Sequence, residues 1–103
     1  MVPYIFSDRN VSKNRPALIL SSDAYHASRQ EVIVAAITSR IRDPLFVGDH
    51  LIVNWQASGL VRPSVVTGIL RTVKNYIIVR KMGVMAAQDM DAVEAAIKQA
   101  LAL

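Results

Sequence analysis

A chain of 103 residues has room for one domain, and with 52% of its residues hydrophobic it can build a single core. It contains no cysteine, which excludes disulfides and thiolate metal sites, and no apolar run approaches the roughly 20 residues that span a bilayer. The formal charge of +4 is unevenly spread: residues 87–103 hold Asp89, Asp91 and Glu94 against Lys98, so the basic excess lies in residues 1–86. Such a surface favours a polyanionic partner through Coulomb steering and counterion release, and it equally serves to keep an apolar chain soluble. Met1–Phe6 is not a basic leader followed by a long apolar stretch, and the expectation is a soluble, unexported, cytoplasmic protein.

In chain order, Val2–Phe6 reads as a short strand and residues 7–14 as a polar loop. Arg15–Ser21 is an almost wholly apolar strand. Ser22–Gln30 reads as a second loop, and Glu31–Ile37, rich in β-branched residues, as another strand buried on both faces. After the loop Arg40–Pro44, the segments His50–Val53, Ser64–Leu70 and Tyr76–Lys81 read as further strands, separated by turn signals at Gly59, Pro63 and Asn75. The end changes character. Met90, Val93, Ile97 and Leu101 fall on one helical face, and Glu94 and Lys98 form a favourable i, i+4 pair. Met85–Gln88 offers no capping side chain to that helix, although Asp89 favours its dipole. Five or six short strands and one terminal helix predict a mainly β fold with α, a small barrel or sandwich closed by the helix.

Two strand ends carry chemistry. An arginine before proline is held out of the helical region, so Arg15 enters its strand extended. Thr38, at the end of the run Val32–Ile37, supplies a hydroxyl that both donates and accepts. Read on their own, Arg15 is a surface cation near a sheet edge and Thr38 a strand-end residue capping a turn. His26 and His50 read as solvent-exposed or turn residues, and Asp23 and Asp49 as turn or loop residues. No His, Asp or Glu cluster has metal-ligand spacing, and no cofactor is expected. Trp55 reads as core or interface, with base stacking by Trp55, Tyr25 and Tyr76 as the alternative.

The pattern Asn14-Arg15-Pro16-Ala17-Leu18-Ile19-Leu20-Ser21-Ser22-Asp23, then Val32–Ile37 with Thr38-Ser39-Arg40-Ile41, closely resembles the MazF/PemK group of toxin endoribonucleases. Asn54–Ser64, with Gly59-Leu60 and Pro63-Ser64, and Arg71-Thr72 ahead of Lys74-Asn75 resemble further segments of that family, so the likeness covers nearly the whole chain. It implies a single domain over residues 1–103, an SH3-like barrel of the CcdB/PemK kind with a C-terminal helix. It also implies a metal-independent, sequence-preferring endoribonuclease acting on single-stranded mRNA through the 2′-hydroxyl, as a homodimer neutralised by a cognate antitoxin protein. The catalytic residues so implied are Arg15 and Thr38, and the RNA-binding residues are Lys13, Asn14, Ser39, Arg40 and Arg71. Arg15 suits charge stabilisation of the phosphorane, with proton donation as a second role, because its guanidinium stays charged and grips two phosphate oxygens. The base is left unassigned. Two departures stand out: family members usually begin with several more residues, including a Gly-Asp or Gly-Glu, and Ser64–Ile69 lacks the Arg and Asp that serve some PemK-type members. The alternative function is that of a CcdB-like, non-catalytic DNA gyrase poison, and a third reading is a degenerate barrel that only binds nucleic acid or protein.

Overall fold

The computed structural model describes residues 4–9 and 14–103. Strands β1 (Tyr4–Arg9), β2 (Asn14–Ile19), β3 (Glu31–Thr38), β4 (His50–Leu51), β5 (Val65–Lys74) and β6 (Ile78–Val84) form one antiparallel sheet in the order β4-β5-β3-β2-β1-β6. Helix α1 (Asp23–Arg29) joins β2 to β3, a 3₁₀ turn (Asn75–Ile77) joins β5 to β6, and helix α2 (Ala87–Leu101) ends the chain. The mainly β fold with a C-terminal helix is the expected class. Val2 and Pro3 of the expected first strand lie outside the described residues.

Alternation along the strands sorts the apolar side chains onto two faces of the sheet. Ile5, Leu18, Ala35, Ile37 and Val66 point to one side, where Ile52, Leu60, Met85 and Val93 of α2 complete the main core. Trp55, Met90 and Ile97 pack against it, so Trp55 is a core residue. Ala17, Val32 and Val34 form a smaller cluster on the opposite face, backed by Ile19 and Val73. Burial on both faces explains the unbroken apolarity of β3. Leu101, the last of the helical stripe, is half exposed.

Ser22–Gln30 is no loop, because Asp23–Arg29 is helical: Ser22 caps α1 by accepting the Tyr25 N–H at 3.1 Å, and Gln30 ends it in the left-handed region at φ 54°. The strand and helix content matches the expected barrel, but among the described residues β4 and β6 do not pair, so the sheet stays open. The segment 54–60 covers the gap by laying Gly59 (φ 88°) against Gly83 of β6, where a Cβ on either residue would run into backbone.

The start of α2 is held from outside. Its N-cap, Ala86, makes no side-chain capping bond. Asp89, 1% exposed in the first turn, instead accepts from the N–H groups of Val53 (2.8 Å) and Asn54 (2.9 Å) and pairs with His50 Nε2 at 2.8 Å. Burial pushes its carboxyl up, but the His50 contact and the two N–H donors outweigh this and hold it below the usual carboxylate range. His50 is therefore a half-buried partner of Asp89, which corrects its reading as a solvent-exposed or turn residue.

Candidate functional site

The β2–β3 ladder runs Ile19–Val34, Leu18–Ala35 and Ala17–Ala36 and stops there. Two residues further on, Arg15 and Thr38 continue the same register on the face of the smaller cluster. Both line a cleft of about 600 Å³. The cation and hydroxyl singled out in the sequence thus lie two residues past the last pair of neighbouring strands and line the same cleft.

The opposite wall comes from a bulge. Ala35 pairs with Leu70 and Ile37 with Val66, so Thr67, Gly68 and Ile69 loop out of β5 opposite Ala36. Thr67 holds this shape, since its buried hydroxyl donates to the Ala36 carbonyl at 2.8 Å and accepts the Ile69 N–H at 3.2 Å. Gly68, left without a β3 partner, donates its N–H to Asp49 Oδ1 at 3.0 Å. Asp49 is carried there by the loop 39–49, which turns back through Gly48 at φ 97°. That loop starts where Thr38 Oγ1 accepts the Arg40 N–H at 3.1 Å, so Thr38 does cap a turn while its own O–H stays available to donate.

The cleft is strongly cationic. Arg15, Arg40, Arg42 and Arg71 line it against one carboxylate, Asp49, among the described residues. Arg15 and Arg40 form no salt bridge with any described residue, and Arg42 lies 5.1 Å from the Phe46 ring centroid in a cation–π contact. Phe46 is 62% exposed at the rim beside Val47 and Ile69, also exposed. Guanidiniums around an open cleft suit the binding of phosphate groups, and an exposed ring among them offers a face to a nucleobase.

Of the residues expected at the site, Arg15, Thr38, Arg40 and Arg71 are gathered here. Ser39 is exposed in the adjoining turn and does not line the cleft. Asn14 opens β2, and Lys13 lies outside the described residues. Sequence reasoning missed Arg42, Phe46, Asp49 and the Thr67 bulge. The one available signal was composition, since Arg40 and Arg42 crowd the loop that follows Thr38.

A model of the PemK-like, MazF-like toxins of type II toxin–antitoxin systems matches residues 5–101. The chain belongs to this family. Among solved structures, this PemK/MazF-like toxin is similar to the Mycobacterium tuberculosis toxin MazF-mt6 at 27% identity, covering 98% of this chain and 97% of that one with a TM-score of 0.80. An endoribonuclease in complex with its cognate antitoxin from Mycobacterial species matches at 16% identity, with 100% and 95% of the two chains covered and a TM-score of 0.85. A MazE–MazF structure from Deinococcus radiodurans matches at 19% identity, covering 100% and 98% with a TM-score of 0.79. No curated protein matches the sequence. The toxin–antitoxin family membership inferred from the Arg-Pro and Thr-Ser blocks stands, and these findings do not favour the CcdB-like alternative.

Proposed function

We propose that this toxin is a metal-independent endoribonuclease that cuts single-stranded mRNA at preferred sequences, using the substrate's own 2′-hydroxyl as nucleophile. The observation that carries the reading is that Arg15 and Thr38, just past the end of the β2–β3 ladder, line one cleft together with further arginines. Arg15 grips the non-bridging oxygens of the scissile phosphate and stabilises the charge of the phosphorane. Thr38 donates its O–H to the same phosphate. Arg40, Arg42 and Arg71 hold the flanking backbone, and Lys13, Asn14 and Ser39 are carried as RNA contacts by the family resemblance. DNA, lacking the 2′-hydroxyl, binds without being cut.

The relatives support the rest of the reading. An endoribonuclease in complex with its cognate antitoxin and a MazE–MazF structure share this fold. We assign this chain the same kind of partner, a homodimeric state and a cytoplasmic site of action. Among the described residues no helix is long and apolar enough to cross a membrane. The exposed Phe46, Val47, Leu51 and Val53 are apolar surface for such partners to cover.

The test is incubation with a long single-stranded RNA and the matching DNA in EDTA, mapping cuts for wild type and Arg15→Ala. Cuts confined to RNA at a recurring sequence and lost in the variant are the expected result. An intact RNA alongside a folded wild type refutes the reading.

A further inference from the structure

Cleavage through the 2′-hydroxyl needs a group to take its proton, and a guanidinium is a poor one because it is almost never deprotonated. Histidine, the usual choice, does not line the cleft: His50 is engaged by Asp89, and His26 sits on α1 against Asn75 Nδ2 at 3.1 Å. Among the described residues the one carboxylate in the cleft wall is Asp49. Resting on the ribonuclease reading above, we propose that Asp49 is the general base of this site.

One oxygen of the carboxylate is anchored and the other is left free among the described residues. Asp49 Oδ1 is held by the Gly68 N–H at 3.0 Å, and its other oxygen has no hydrogen bond to a described residue. Gly68 follows Thr67, whose hydroxyl is tied to the Ala36 carbonyl, and Ala36 is two residues short of Thr38. The carboxylate is therefore anchored on the β5 bulge, beside β3, and lines the same cleft as Arg15 and Thr38, in which a phosphate would lie. Its structural service is replaceable: Gly68 is exposed, so water can satisfy that N–H, and an amide oxygen at position 49 would accept it equally well. What neither substitute supplies is a proton acceptor.

In the step itself, the proton of the 2′-hydroxyl passes to the free oxygen of Asp49 as the 2′-oxygen bonds to phosphorus. The P–O5′ bond breaks, leaving a 2′,3′-cyclic phosphate, and the 5′-oxygen takes a proton from water. The proton on Asp49 then neutralises the hydroxide so formed, which restores the site without metal or co-reactant.

Asp49→Asn tests this, because it keeps the acceptor for Gly68 and removes the base. Cleavage at the sites mapped for wild type is expected to fall by about 10²–10⁴-fold in kcat. Affinity for the same RNA carrying a 2′-deoxy residue at the cut site is expected to hold or rise, since a negative charge has left a cationic cleft. That split between chemistry and binding is one a misfolded variant cannot give. Wild-type cleavage rates in Asp49→Asn would reduce Asp49 to an anchor for Gly68 and overturn the proposal. Loss of binding together with cleavage, in Asp49→Asn and Asp49→Ala alike, would overturn it in favour of a structural role. An intact RNA in the wild-type arm would remove the ribonuclease reading itself, and the base with it.

Discussion

Replacing Asp89 by alanine is expected to remove the polar tie between the start of α2 and residues 50–54. The carboxylate is 1% exposed and accepts three hydrogen bonds, two from backbone N–H groups and one from His50. Bonds to a charged acceptor contribute about 1.5–3 kcal/mol each, but Val53 and Asn54 are exposed and water will re-satisfy part of what the alanine leaves open. The net loss is therefore set at about 3–5 kcal/mol, well below the sum of three such bonds. Against a total stability of about 5–15 kcal/mol this is a large share, and it corresponds to a fall in Tm of roughly 12 °C or more. The loss also carries a pH signature. The folded-state pKa of Asp89 lies below its unfolded value, so its stabilisation is fully present above the ordinary carboxylate range and is lost as pH falls through the folded value. Wild type and Asp89→Ala are therefore expected to differ most near neutrality and to converge below about pH 4. Thermal unfolding followed by circular dichroism from pH 7 down to acid decides it. A Tm difference of only a few degrees at pH 7, or one that does not shrink in acid, would refute the assignment of Asp89 as a charged anchor.

Two further substitutions probe how the sheet shapes the site. Gly59→Ala puts a Cβ into the Met82 carbonyl at a positive φ, so the urea midpoint is expected to fall by the equivalent of about 3 kcal/mol or more. An unchanged midpoint would mean that the 54–60 segment does not seal against β6. Thr67→Val removes both bonds that hold the bulge, at a cost of about 2 kcal/mol, and is expected to depress RNA cleavage beyond the loss of folded protein because Gly68 and Ile69 shift in the cleft wall. Thr67→Ser, which keeps the hydroxyl, is expected to restore the cleavage, and its failure to do so would remove the bulge from the account.

Much of the fold was legible because it rests on local pattern. Unbroken apolar runs marked β2 and β3, turn signals bounded β5, and the three-four spacing of Met90, Val93 and Ile97 marked the face of α2 that meets the core. Helix α1 was missed despite its Ser22 cap, the Asp23 in its first turn and the Arg29 in its last, because it buries no side chain and so shows no apolar stripe. The end of β5 was set too early, since Arg71 to Lys74 are mostly exposed and their strand state comes from pairing with Glu31–Val34.

The division is the same at the site. By itself the sequence determined a mainly β chain with a terminal helix, the toxin family through its Arg-Pro and Thr-Ser blocks, and the weight placed on Arg15 and Thr38. These depend on residue type and neighbours along the chain. Only the tertiary structure decided that Arg15 and Thr38 line one cleft, that residues as far along as Asp49 and Gly68 meet, and that Asp89 is a buried anchor for His50 and the 53–54 backbone. Register, a two-residue bulge and the return of a loop create these meetings, and each is a contact between residues far apart in the chain that local periodicity does not encode.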